Sequence, residues 1–183
     1  SHHRQIVVMT APHIGNTGIN DEDPGSGRVW AAGLVAREPS RVTSHWRSQR
    51  SLHEEMRSQG VVGIALTGTR ALTRHLRDKG VMRAAVSTVE TDPKALLARV
   101  LEQPTMAGAD LSAEVSTQNP YEILPPEGGR PRCHVVAVDL GIRSMTPQRL
   151  SERGCRVTVL PADATAKDIL ALAPDGVLLS DGP

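Results

Sequence analysis

Four residues of this 183-residue chain have side chains or positions that could support chemistry. Cys133 and Cys155 are too few for a disulfide scaffold and too far apart for a C-x-x-C motif, so we interpret them as small buried hydrophobic residues in a reducing compartment. His13 has no second metal-ligand residue at i+3 or i+4, which favours a hydrogen-bonded loop histidine over a metal or catalytic role. Gly182 follows an apolar run, and from these residues alone an ordinary Asp-Gly-Pro turn is favoured over a glycine that lets the backbone approach a ligand closely.

The composition narrows the class of protein. Apolar residues make up 39% and charged residues 22% of the chain, which is typical of a soluble globular protein with one good core or two modest ones. The 21 basic and 20 acidic residues leave a net charge of +1, with no basic stripe to bind nucleic acid. No apolar run approaches the roughly 20 residues of a membrane span, so we expect a cytoplasmic protein.

The first part of the chain predicts alternating strands and helices around a structured loop. Glycine, asparagine and aspartate crowd residues 11–27, which favours an irregular but ordered segment. Ser51 with Glu54 has capping-box spacing, and Asp92 before Pro93 signals a helix start. The predicted strands are 5–10, 29–37, 61–65 and 82–89, and the predicted helices are 51–59, 69–78 and 93–101.

A proline- and glycine-rich segment separates this part from a second one. It predicts three regions, namely a domain at 1–118, a linker at 119–132 and an incomplete domain at 133–183. The last region has a β-α-β-α-β pattern of apolar strands, which predicts an α/β fold with a doubly wound parallel sheet and a ligand site beyond the strands' carboxyl ends. The chain opens without Met and ends directly after a predicted strand, so we expect a fragment. The predicted strands are 135–139, 156–160 and 177–180, and the helices are 147–153 and 166–172.

One loop carries a specific resemblance. Residues 12–23 read PHIGNTGINDED, which closely resembles the PHIGNxGxNxxD loop near the start of the carbamoyl phosphate synthetase small-subunit family. Further stretches resemble that family in the same order and spacing, so that the match covers nearly the whole chain. They are residues 60–65 with 69–74, residues 135–141 and residues 153–158.

The resemblance implies a fold and an activity. It implies an N-terminal α/β domain followed by the start of a class I glutamine amidotransferase domain, which is flavodoxin-like. The family's subunit hydrolyses glutamine and delivers ammonia to a large synthetase subunit, its heterodimer partner. That ligase makes carbamoyl phosphate for arginine and pyrimidine synthesis. The resemblance also implies that this subunit holds no cofactor of its own, because ATP, bicarbonate and Mg²⁺ belong to the large subunit.

The resemblance also sets expectations for site residues. The family's nucleophile motif G-x-C-x-G-x-Q and its H-P-E motif do not occur in these 183 residues, so we expect no catalytic or metal residue and no activity from them alone. Cys155 matches the family's R-G-C-R position, which favours a structural role. Residues 178–183 resemble an L-S-N-G-P-G-D-P loop, in which Gly182 takes the place of the glycine that contacts glutamine and offers an amide to the oxyanion.

The chain departs from the family pattern at three points. Asp181 stands where the family usually has Asn, which adds a carboxylate near a site that must stabilise negative charge. Leu66-Thr67-Gly68 stands where Ile-Asp commonly precedes Thr-Arg. The upstream segment that carries the family's glutamine-contacting serine does not occur before Arg4 and Gln5.

Two other functions compete with this one. The first is a non-catalytic docking module for the large subunit, because the N-terminal domain shows no identified chemistry. The second is a nucleotide-binding or phosphate-binding doubly wound domain. The sequence gives this second hypothesis little support, because neither G-x-G-x-x-G nor a P-loop follows the strand at Val135, and residues 141–144 contain one glycine.

Overall fold

A computed structural model of the chain describes residues 2–22, 25–65, 67–126 and 130–183. Leu66, residues 23 and 24 of the glycine-rich segment and residues 127–129 of the predicted linker lie outside these ranges. The described residues form two compact units, residues 2–109 and residues 110–183. Both units combine helices with sheets that contain parallel strands, so the predicted α/β class is confirmed.

The first unit is built on a three-stranded parallel sheet in the order β1-β2-β3. Val35 and Ala36 of the central strand are 6% and 4% exposed, and Met56 of the first helix is 9% exposed, so these apolar side chains form the core of this unit. The elements are β1 (Ile6–Met9), β2 (Gly33–Ala36), α1 (Leu52–Ser58), β3 (Val62–Ile64), α2 (Thr69–Lys79) and α3 (Pro93–Glu102).

The helix starts follow the predicted capping signals. The Ser51 hydroxyl accepts from the Glu54 amide at 3.2 Å, while the Glu54 carboxylate accepts from the Ser51 amide at 2.7 Å. This reciprocal pair closes the capping box of α1, and the hydrogen bonds that the carboxylate accepts, first from the Ser51 amide and second from the Ser51 hydroxyl, lower the pKa of Glu54 below its usual value. At α3, Asp92 accepts from the Lys94 amide at 3.0 Å, with Pro93 in the first turn. Both predicted caps are confirmed.

The glycine-rich loop is held by the segment that precedes α1. Ile14 bridges to Pro39 and Ile19 bridges to Arg50, which gives this irregular backbone sheet-like partners. Gly18 has a φ of +68°, and a Cβ built there would lie 1.9 Å from the Ser48 Oγ. The described part of the loop is therefore ordered by packing, as the sequence predicted, and its glycine at 18 is required by the close approach of Ser48.

One predicted element of this unit is wrong. Residues 82–89 form no strand, and most apolar side chains there are open to solvent, with Met82 57% and Val89 87% exposed. No strand of the described chain pairs with this segment. A strand needs a neighbouring strand with which it can form hydrogen bonds. The local sequence does not show whether such a neighbour is present.

The second unit is built on a four-stranded sheet in the order β4-β6-β5-β7. Strands β5, β6 and β7 are parallel, as predicted, and α5 packs against β6. Ala137, Val157 and Val159 are fully buried and form the centre of the core. The elements are α4 (Ser112–Val115), β4 (Tyr121–Ile123), β5 (Cys133–Val138), α5 (Met145–Glu152), β6 (Cys155–Leu160), α6 (Ala166–Ala171) and β7 (Gly176–Leu179).

Strand β4 was not predicted. It lies within the predicted linker, residues 119–132, and adds an antiparallel edge to the parallel sheet by pairing with β6. Residues 110–126 belong to the second compact unit, and the described chain divides between residues 109 and 110. The proposed domain limits at 118 and 132 stay predictions. An antiparallel edge strand on a parallel sheet is common, but three residues among prolines carry too little pattern to reveal it.

In the described part of the chain, no helix combines the length and the apolar character that crossing a bilayer requires.

We predict that Gly18→Ala destabilises the first unit far more than Gly60→Ala. Both glycines have nearly the same positive φ, +68° and +67°, but only a Cβ at position 18 meets another atom within 4 Å. Gly60→Ala is expected to cost about 1 kcal/mol for the backbone conformation, and Gly18→Ala about 3 kcal/mol because Ser48 must also move. Urea denaturation of the two variants measures the difference. Equal midpoints would show that the loop does not pack on Ser48 as described.

Candidate functional site at the carboxyl edge of the second sheet

The carboxyl ends of three parallel strands define one edge of the second unit's sheet. The chain leaves β5 at Val138, β6 at Leu160 and β7 at Leu179, so the three following segments lie along the same edge. Open α/β sheets bind their ligands at such an edge. The predicted site residue, Gly182, lies in the segment after β7.

A buried carboxylate organises this edge. Asp139 follows β5 and is 6% exposed. One of its oxygens accepts from the Gly141 amide at 2.9 Å and from the Ile142 amide at 2.8 Å, and the other accepts from the Thr117 amide at 2.8 Å. These bonds satisfy a charge that would otherwise be costly to bury. Asp139 therefore sets the turn after β5 and ties the segment before β4 to it.

Two serine hydroxyls also join the segments that follow the strands. The Ser180 Oγ accepts from the Leu140 amide at 2.9 Å, and the Ser180 amide donates to the Val138 carbonyl at 3.2 Å. On the other side of β5, the Ser116 Oγ accepts from the Ala162 amide at 2.8 Å. Two serines thus hold the backbone that follows β5 and β6 in fixed positions.

Gly182 lies against the segment that follows β5. A Cβ built at Gly182 would be 2.4 Å from the Leu140 carbonyl oxygen, and a Cβ built at Gly141 would be 3.4 Å from the Gly182 Cα. Position 182 therefore requires glycine for internal packing alone, whatever it binds. Gly182 is also exposed, so its backbone is open to solvent at this edge. Its contact with glutamine stays a prediction.

Tyr121 is the aromatic residue of β4, and the carboxylate of Asp139 affects the titration of its phenol. The pKa of the Tyr121 phenol is raised, first by burial and second by the negative charge of Asp139. Both causes disfavour the phenolate. The hydroxyl therefore remains protonated at neutral pH and is a neutral group beside the edge.

The other residues singled out from the sequence lie elsewhere. His13 belongs to the first unit, has a φ of +55° and is exposed, which fits a loop residue. Cys133 and Cys155 begin β5 and β6, at the end of the sheet opposite Gly182. A strand of six residues spans about 17 Å, which separates Cys155 from the carboxyl edge. Among the described residues no group of three metal-ligand side chains comes together.

Sequence reasoning missed the residues that build this edge. The predicted strand 135–139 includes Asp139 as its last residue, although an acidic residue directly after an apolar run and before Leu140-Gly141 is a usable signal for a carboxylate that caps a turn. The predicted strand 177–180 ends at Ser180, to which the sequence assigns no role. Thr117 contributes its backbone amide, for which no sequence signal exists.

Comparisons with known proteins agree with the resemblance across the whole chain. Residues 1–86 match the family model described as carbamoyl-phosphate synthase small chain, CPSase domain. The carbamoyl phosphate synthase small chain of Streptomyces avermitilis is 57% identical over 185 residues, covering 100% of this chain and 48% of its own length. The corresponding proteins of Corynebacterium diphtheriae and Mycobacterium tuberculosis are 50% and 49% identical, again over 100% of this chain and over 49% and 50% of their lengths. The chain spans about half the length of the curated relatives it matches.

We predict that Asp139→Asn loosens the carboxyl edge. An asparagine has only one acceptor oxygen, so its NH₂ group must face either the Thr117 amide or the Gly141 and Ile142 amides, and a donor then opposes a donor. The expected loss is about 3 kcal/mol of local stability. Asp163→Asn, at an exposed position after β6, is the matched control and is expected to have little effect. Hydrogen exchange of the Thr117, Gly141 and Ile142 amides measures the loss, and equal protection in both variants would contradict it.

Proposed function

Because the chain belongs to the carbamoyl phosphate synthase small chain family, we propose that it is part of a glutamine-hydrolysing subunit that supplies ammonia to a large synthetase chain. The large chain would use this ammonia with bicarbonate and ATP to make carbamoyl phosphate for the arginine and pyrimidine pathways. ATP, bicarbonate and Mg²⁺ would be bound by the large chain, with none held by this one. We place the complex in the cytoplasm, as a heterodimer.

The observation that supports this proposal is the position of the family-like loop at the carboxyl edge of the sheet. The segment that resembles the family's glutamine-contacting loop follows β7, at the edge where open α/β sheets bind ligands. Leu140 and Ser180 hold the backbone next to it in a fixed position. Exposed Gly182 could therefore present its amide to the negative oxygen that develops when a nucleophile attacks the glutamine amide.

The residues that attack glutamine would come from another part of the subunit. A thiolate nucleophile, a histidine base and a glutamate that orients it are needed, and the family's motifs for them do not occur in these residues. Cys155 does not substitute for the nucleophile, because it begins β6 at the opposite end of the sheet. The role proposed for these 183 residues is therefore to position the substrate and stabilise charge.

Asp181 bears on how well the edge would stabilise negative charge. Its side chain is exposed, and its backbone carbonyl accepts from the Ser180 Oγ at 3.0 Å. Solvent screens an exposed carboxylate strongly. We therefore propose that the exchange of the family's usual Asn for Asp weakens charge stabilisation only slightly.

We predict that Gly182→Ala in the intact protein, assembled with a large synthetase chain, lowers glutamine-dependent carbamoyl phosphate synthesis about 100-fold, because the added Cβ displaces the amide from Leu140. Synthesis from added ammonium should be unchanged, since it bypasses glutamine. Gly176→Ala is the control, because a Cβ at Gly176 of β7 meets nothing within 4 Å.

The assay compares both nitrogen sources for each variant. An equal loss with glutamine and with ammonium would assign Gly182 to folding alone. A wild-type complex that makes no carbamoyl phosphate from glutamine would overturn the proposed function itself.

A second function, docking of the large chain by the first unit, is favoured by one exposed aromatic patch. Trp46 is 86% exposed and Val42 is 72% exposed. The Trp46 ring stacks on His45 at 5.9 Å, and the Arg47 guanidinium lies 5.6 Å from its centroid. A solvent-exposed tryptophan beside an arginine combines two of the side-chain types that most often anchor protein interfaces.

We predict that Trp46→Ala weakens assembly with the large chain by at least about 30-fold in Kd. Val81→Ala removes another fully exposed apolar side chain from the same unit and is expected to leave Kd unchanged. Analytical ultracentrifugation or calorimetric titration gives both values. An unaltered Kd for Trp46→Ala would remove this patch from the interface.

A further inference from the structure

The two cysteines of the second unit lie side by side. Cys133 and Cys155 are the first residues of β5 and β6 and are register partners in the parallel ladder. The Cys133 Sγ donates to the Cys155 Sγ at 3.2 Å, and both thiols are free and half-buried. The sequence interpretation as two separate buried hydrophobic residues missed this pairing, because the β5-α5-β6 crossover brings together residues that are 22 positions apart.

The backbone at this end of the sheet already has the spacing of a disulfide. Adjacent strands lie about 4.8 Å apart, which is within the Cα separation of about 4.4–6.8 Å found across disulfides. The Arg132 amide donates to the Gly154 carbonyl at 2.9 Å, immediately before the two cysteines, and so holds the strand starts in register. Small rotations of the two side chains would bring the sulfurs to the bonding distance of about 2.05 Å.

We propose that Cys133 and Cys155 are a modification site, at which exchange with an oxidised low-molecular-weight disulfide forms a reversible cross-link between β5 and β6. One cysteine thiolate attacks a sulfur of the small disulfide, forms a mixed disulfide and expels one small thiolate. The second cysteine thiolate then attacks the protein sulfur of the mixed disulfide and expels the other small thiolate. Two protein thiols are oxidised, one small disulfide is reduced to two thiols, and the two cysteine protons pass to the released thiolates.

The surroundings of the pair set how this exchange responds to pH. The pKa of the Cys133 thiol is raised, first by its hydrogen bond with Cys155 and second by burial. Because the thiolate is the attacking form, the exchange should accelerate as the pH rises above neutrality. Under reducing conditions both thiols stay free, so the cross-link would mark a period of oxidation.

The position of the pair separates this proposal from the proposed function. Cys133 and Cys155 lie at the amino ends of the strands, and the candidate glutamine site lies at their carboxyl ends. The cross-link would therefore hold β5 and β6 together at their amino ends and resist their separation. It would not contact the Gly182 segment.

Peptide mapping of the intact protein tests the proposal. The protein is incubated with oxidised glutathione, free thiols are blocked with an alkylating agent, and trypsin is added. Cleavage after arginine releases the two cysteines in separate peptides, residues 133–143 and residues 154–156. The expected result is one species in which these peptides are joined, and which separates on reduction with dithiothreitol. Its yield should rise with the pH of the incubation.

Single-serine variants provide the control. Cys133→Ser and Cys155→Ser each leave one thiol of the pair, which should take up glutathione as a mixed disulfide and give no joined peptides. In the wild-type protein, alkylated peptides without any joined species, a persistent glutathione adduct, or a bond from either cysteine to any third one would overturn the proposal. None of these outcomes depends on whether the protein hydrolyses glutamine.

Discussion

The carboxyl edge of the second sheet depends on the buried carboxylate of Asp139. Its two oxygens accept hydrogen bonds from three backbone amides, two in the turn after β5 and one at Thr117. A buried charge tolerates no loss of these partners, so the positions of both segments are tightly constrained. Leu140 and Gly141, which follow Asp139 directly, are in turn the surface against which Gly182 packs. The candidate glutamine contact is thus held in place by a residue that need not touch the substrate.

Close backbone approach is the second constraint, and it recurs in both units. Gly182 lies so close to the Leu140 carbonyl that a Cβ added to the glycine would clash, and the same holds for Gly18 and Ser48. In the first unit this gives the PHIGN segment a structural explanation, because its backbone pairs with residues before α1. A motif that identifies the family therefore also has a packing role, and His13 within it is an exposed loop residue. The specificity of a sequence motif and its chemistry are separate properties.

The direction of the parallel strands separates two kinds of chemistry in the second unit. The proposed substrate contact lies where the strands end, and the thiol pair lies where β5 and β6 begin. All carboxyl ends meet at one edge of a parallel sheet, so this separation follows from topology alone. It places Cys155 and its partner Cys133 at the amino ends of the strands, away from the proposed substrate contact.

The sequence by itself determined the family, the α/β class, and the elements with strong local signals. Capping at Ser51 and Asp92 and the apolar runs of β5, β6 and β7 depend on near neighbours, and local pattern is sufficient to predict such features. Only the tertiary structure decided that residues 82–89 form no strand, that Tyr121–Ile123 forms one, and that Asp139 binds Thr117. It also paired Cys133 with Cys155. Each of these outcomes depends on a partner distant in sequence, whose presence or absence no local pattern records.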